Sequence, residues 1–143
     1  MLTINEKVAY AAGFFDGEGC VRISAYKMRN GSTNYLLKVT VKQTNRAPLL
    51  FLQEMFGGFI TEERRSSTVK RCWVWNIAYG KCAEFLEKVL PALQVKFVEA
   101  AIGLFFQETF TNSPGHGEPV PEHVKDLRRH LCAQCDIEKR NNF

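Results

Sequence analysis

The chain has 143 residues, 45% of them apolar and 24% charged, which is room for one hydrophobic core and little for a second. No run of 18 apolar residues occurs, so no transmembrane helix and no membrane partner are expected. The opening MLTINEKVAY mixes charges ahead of any apolar run, unlike a secretory leader.

Five cysteines (Cys20, Cys72, Cys82, Cys132 and Cys135) form an odd set without a disulfide rhythm. They predict reduced thiols in an intracellular protein, with the compartment, organelle included, left open. The net charge of +4 is mild but unevenly spread. No Asp or Glu occurs from Gly19 to Gln53, whereas Arg22, Lys27, Arg29, Lys38, Lys42 and Arg46 all fall there. A cationic face of this kind suits a polyanion; a solvated basic surface is the plainer alternative.

In chain order, Thr3 and Glu6 are spaced as a capping box. A helix runs on through VAYAAGFF, with Ala11, Ala12 and Gly13 as a small-residue face, and Gly17 and Gly19 end it. Cys20 to Tyr26 alternates as a strand, and Asn30-Gly31 is a strong hairpin signal of the type I′ kind. The partner strand is Asn34 to Lys42. Pro48 opens a helix through LLFLQEMF, stopped by Gly57-Gly58. The same order then recurs: strands over Phe59 to Glu63 and Arg71 to Tyr79, and a helix over Lys81 to Leu90 ended by Pro91. Helices at about Val95 to Phe110 and Pro121 to Lys139 close the chain. The expectation is a single α+β domain over residues 1–143 with four antiparallel strands in one sheet.

Asp16 and Glu18 sit where the helix dipole is negative, so neither carboxylate gains from its own helix, and a cation would offset both. Glu18 between two glycines can lie near backbone carbonyls, an all-oxygen environment that suits Mg²⁺. Ordinary capping by Asp16 and a solvent-facing Glu18 remain open on these residues alone.

Ala11-Ala12-Gly13-Phe14-Phe15-Asp16-Gly17-Glu18-Gly19 resembles the LAGLIDADG motif of homing endonucleases, in the variant ending FFDGEG and with Ala11 in place of Leu. The strand–turn–strand–helix order around it matches too, over roughly Lys7 to Ala101. The resemblance implies an αββαββα fold with a saddle-shaped four-stranded antiparallel sheet, helices on one face, and a peripheral C-terminal helix. It implies a homodimer joined through Ala11, Ala12, Gly13 and Asp16, with Asp16 also capping the helix end. Glu18 and the carbonyl of Gly17 would bind a divalent ion (Mg²⁺, with Mn²⁺ or Ca²⁺ able to occupy the site). Gln43 in VKQTN and Lys96 in LPALQVK match the family's water-positioning and charge-stabilising positions. Some relatives carry an arginine at the place of Ala47, which Arg46 adjoins.

The implied activity is metal-dependent hydrolysis of double-stranded DNA at a long pseudopalindromic site, with no small-molecule substrate. The alternative on the same fold is a catalytically silent binder, a splicing maturase or a transcription regulator. Period-2 alternation puts Arg22, Ser24, Tyr26 and Met28 on one face of the first strand, and Asn34, Lys38, Thr40 and Lys42 on one face of the second. A two-stranded ribbon of this sort fits the major groove. Arg22 and Lys38 suit guanine, Asn34 suits adenine, and Arg29, Asn30 and Tyr35 flank the tip. Arg46, Thr61, Glu63, Arg65 and Arg71 complete the expected DNA-binding set.

Trp73 and Trp75 share a face, either against helices or against bases, which leaves the parity of their strand open. Cys132-Ala-Gln-Cys135, with His123 and His130 nearby, admits zinc, but Leu127 and Leu131 make that helix face look like packing.

Overall fold

The computed structural model describes residues 1–64, 70–111 and 119–141. Helix α1 (Ile4–Glu18) begins with the expected capping box. Thr3 Oγ1 accepts from the Glu6 amide at 3.2 Å, and Glu6 Oε2 accepts from the Thr3 amide at 2.7 Å. Strands β1 (Gly19–Lys27) and β2 (Thr33–Gln43) lead to α2 (Ala47–Phe56). Strands β3 (Phe59–Glu63) and β4 (Cys72–Ala78) lead to α3 (Tyr79–Val89) and a 3₁₀ turn at Leu90–Ala92. Helices α4 (Phe97–Thr111) and α5 (Glu122–Asn141) follow.

The sheet is antiparallel throughout, in the order β1-β2-β4-β3. This is the α+β architecture expected, with helices on one face. Odd positions of β1 and β2 (Val21, Ile23, Leu37, Val39, Val41) are buried against those helices. On β4, Trp75 and Ile77 take the same side. Trp75 is fully buried, its ring edge-on to Phe85 and its indole N–H donating to the Gly57 carbonyl at 2.8 Å. The tryptophans therefore belong to the helix side, which settles the parity of β4.

Two local expectations are corrected. The first hairpin does not turn through a type I′ pair, because Gly31 (φ 87°) takes positive φ and Asn30 does not. Gly31 N–H donates to Met28 O, Met28 N–H donates to Ser32 O, and the Asn30 side-chain oxygen accepts from Ser32. This is a type I turn closed by a glycine bulge, which needs only one left-handed residue.

The small-residue face of α1 also differs. Ala11 and Ala12 are fully buried in the chain's own core, while Gly13 and Gly17 are exposed, with open space where a Cβ would stand. Gly19 has the opposite reason for being glycine. A Cβ there would lie 2.1 Å from the ring of the fully buried Phe15.

Candidate nucleic-acid interface

The face of the sheet turned away from the helices is polar. Register brings Arg22 opposite Lys38, Tyr26 opposite Asn34, and Thr40 between Cys20 and Asn76. Lys42 faces Val74, which faces Thr61. A shallow groove runs across this face, lined by Arg22, Lys38, Thr40, Lys42, Thr61 and Asn76 among others. Ser24, Tyr26, Asn34 and the exposed tip residues Met28, Arg29 and Asn30 extend the same surface outward, as alternation predicts. Leu36, paired with Ser24, is an apolar side chain on this face.

Several expected contacts fall elsewhere. Tyr35 has core-side parity and packs against the hydrophobic cluster instead of facing solvent. Arg71 shares the parity of Trp73; it pairs with Glu62 at 2.8 Å and lies over the Trp73 ring. Arg46 stacks on the same ring with its guanidinium 4.7 Å from the centroid. Both arginines are thus drawn to the helix side. Glu63 is on the groove face but neutralises a cation there, with its carboxylate 2.9 Å from Lys42 Nζ. Arg65 lies outside the described residues.

Asn76 was missed, although the alternation Trp73, Trp75, Ile77 carries the signal once the tryptophans are given to the core. Phe59, 75% exposed and paired with Asn76, lies on the polar face too.

At one end of the sheet α1 delivers its acids. Asp16 does not cap its own helix. Its carboxylate accepts from the amides of Gln94, Val95 and Lys96 at 2.8–3.0 Å, gathering three successive N–H groups of the turn that leads into α4. Burial alone would raise its pKa. The amides of Lys96, Gln94 and Val95, with the Lys96 charge, outweigh burial and hold it below the usual value.

Lys96 Nζ donates to the carbonyl of Asp16 at 2.5 Å, a cation on the negative end of α1. Glu18, the last helical residue, stays exposed. Gly17, Glu18 and Lys96 therefore share a pocket with Asp16, Cys20, Val95, Glu99 and Lys139. Gln43 does not line it. It lies two residues past Val41, the partner of Gly19, on the helix side of the same sheet end and opposite Trp73.

Among the described residues, no three His, Cys, Asp or Glu side chains cluster as metal ligands. The C-terminal cysteines lie on the packed face of α5, as Leu127 and Leu131 beside them suggest. Their thiols serve the backbone instead: Cys132 Sγ donates to the Ile23 carbonyl at 3.1 Å and Cys135 Sγ to the Val21 carbonyl at 3.8 Å. Burial, the first cause, pushes the Cys135 thiol up to about 11, away from the thiolate a metal would need.

The open face of the sheet thus carries the cations Arg22, Lys38 and Lys42 among hydroxyl and amide side chains, and the exposed carboxylate of Glu18 stands at one end. The sequence profile of the LAGLIDADG endonuclease family matches residues 11–91, more than half of the chain, and the chain belongs to that family.

In sequence the chain is similar to a probable intron-encoded endonuclease of Dictyostelium discoideum, aI3, at 28% identity over 67 residues. The match covers 47% of this chain and 28% of that one, so the chain spans well under half of that relative. In fold it is similar to an archaeal intron-encoded homing endonuclease complexed with DNA (TM-score 0.77, 22% identity, 92% of this chain and 83% of that one). The homing endonuclease I-CvuI, in complex with its target in the presence of 2 mM Ca, matches at TM-score 0.66 and 21% identity (89% and 95%). The I-SmaMI homing endonuclease bound to cleaved DNA matches at TM-score 0.67 and 16% identity, 88% of this chain lying on 42% of that one.

Proposed function

We propose that the chain is a sequence-specific endonuclease that cuts double-stranded DNA as a homodimer with divalent metal. The observation that carries the reading is the shared pocket of Glu18, the exposed Gly17 and Lys96 at the end of a cationic sheet face. The sheet holds the duplex: Arg22 and Lys38 stand side by side across β1 and β2, where both reach a guanine edge, and Asn34 beside Tyr26 suits adenine. Exposed Gly13 and Gly17 leave room for a second α1 to approach closely. The chain also superposes on about two-fifths of the longer I-SmaMI chain. Both features support two copies around a dyad and, by symmetry, a pseudopalindromic site.

Glu18 and the Gly17 carbonyl are hard oxygen donors that fit Mg²⁺, and Glu18 is the one exposed carboxylate among the residues lining this pocket, so the partner's copy would complete the set. When bound, the ion would activate water and stabilise charge on the phosphate being cut. The chain's own residues do the rest. Asp16 fixes the end of α1 against residues 94–96, which sets Glu18 and Lys96 side by side. Lys96 places a positive charge beside the developing negative charge.

Incubating a randomised DNA-site library with Mg²⁺ and either the native chain or Glu18→Gln tests this reading. Discrete cutting by the native chain, abolished by the substitution with binding retained, is the expected result. Specific binding with no cutting by either protein would identify a silent binder, and a strict monomer on DNA would exclude the shared site.

A further inference from the structure

We propose that Lys139, on the last turn of α5, contacts the DNA-backbone phosphate presented beside Glu18. This extends the phosphate-binding surface of the cleavage site to a helix that lies outside the matched motif region. The inference rests on the nucleic-acid reading above and deepens it.

Strand β1 is a sheet edge, and α5 covers it. The two cysteine contacts fix the direction of travel. Cys132 meets the carbonyl of Ile23, and Cys135, one turn on, meets that of Val21. Each helical turn (~5.4 Å) thus moves α5 about two strand residues (~6.6 Å) back along β1. The next turn brings position 139 to Gly19, the residue after Glu18. The pocket lining agrees, since Lys139 shares that pocket with Gly17, Glu18, Cys20, Lys96 and Glu99.

Position 139 continues the inward stripe of Arg128, Leu131 and Cys135, where a leucine would serve packing. A lysine there buries most of its stem (23% of the side chain is exposed) and adds a cation to the lining of the pocket. Asp136 is 4.0 Å away and half exposed, too weak a hold to keep the ammonium from a phosphate. Lys96 is committed to the end of α1 through the Asp16 carbonyl. Lys96, just ahead of α4, adds a fixed charge from one side of the pocket, and Lys139, on α5, brings three rotatable donors on a long stem to reach the phosphate itself.

The probe is a duplex recovered by selecting the chain against a randomised library in Ca²⁺. Relative to the native dimer, Lys139→Gln should flatten the slope of log Kd against log salt by about one per chain, and Lys139→Arg should restore it. In Mg²⁺, single-turnover cutting at saturating protein should fall about tenfold in the Gln variant, with the thermal midpoint unchanged. On the unaltered chain, the duplex should protect Lys139 from an amine-reactive label, a readout that needs no variant to fold.

An unchanged slope with equal labelling overturns the inference, as does a loss confined to the thermal midpoint, which would mean that Lys139 only balances the buried Glu99. If the native chain binds but never cuts, the endonuclease reading fails while slope and protection still decide on Lys139. If it binds no DNA, both fall.

Discussion

The two hairpins share one topology and differ in what their charges are free to do. β1 and β2 are nine and eleven residues long, and the strands carry no acid. Their cations Arg22 and Lys38 stand opposite one another on the open face. β3 and β4 are five and seven residues long and carry Glu62 and Glu63, which engage Arg71 and Lys42. On its strands the first hairpin therefore offers uncommitted charge to a polyanion, whereas β3 engages its two carboxylates, Glu62 and Glu63, within the protein. What the second repeat contributes is placement: β4 leads through α3 and the 3₁₀ turn to residues 94–96, which Asp16 then fixes beside Glu18.

The largest test of that division is charge reversal on each hairpin. Replacing Arg22 and Lys38 together with Glu should weaken DNA binding by about 10²–10³-fold at physiological salt and flatten the salt slope. Arg71→Glu should cost less than about threefold, because that guanidinium already serves Glu62 and Trp73. Binding isotherms over a salt series check both. Equal losses from the two hairpins would break the comparison.

Much of this was legible in the sequence because it is written in local periodicities. The acid-free stretch and the alternation of β1 and β2 place Arg22, Lys38, Thr40 and Lys42 on one face with no tertiary information needed. The second hairpin is harder to read. Arg71 is placed by Glu62 on the facing strand, and its neighbour Arg46, ahead of α2, by the Trp73 ring, contacts that no spacing encodes. In α1 the small residues look interchangeable, yet Ala11 and Ala12 face inward and Gly13 outward. That choice depends on where the helix packs, and Tyr10 against Phe51 and Phe15 against Phe85 fix its rotation. The long-range bond from Asp16 to residues 94–96 is likewise invisible in spacing, since a helix-terminal Asp normally serves amides nearby.

That bond carries the next prediction, aimed at the placement role of the second repeat. Asp16→Asn replaces charge-assisted bonds by neutral ones and should lower stability by about 2 kcal/mol at neutral pH. It should also slow cutting more than it weakens binding, because the groove is untouched. The pH dependence follows from the lowered pKa of Asp16. A carboxyl held below its ordinary value of about 4 contributes fully above that value and loses the contribution as pH falls through the lowered one. The difference between native and variant thermal midpoints should therefore be constant near neutrality and shrink below about pH 4. A difference that grew on acidification would show that the amide bonds do not favour the charged form.

The smallest effect should come from Glu63, where the two hairpins meet. Its carboxylate holds Lys42, and both side chains are substantially exposed, so the pair itself adds little stability. Its consequence is for binding, because a lysine on the cationic face is neutralised before DNA arrives. Glu63→Gln should leave the fold intact and steepen the salt slope by up to about one per chain, raising affinity for unrelated duplexes by about threefold. The gain should be sequence-independent, since a released lysine meets phosphate more readily than a base edge. If Glu63 instead reads a cytosine amino group in the groove, the same change would weaken binding at one base step and leave unrelated duplexes alone. Comparing selected and unrelated duplexes at two salt concentrations separates these outcomes. The first would extend the division between reading and restraining to a single ion pair, and the second would make the short hairpin a reader in its own right.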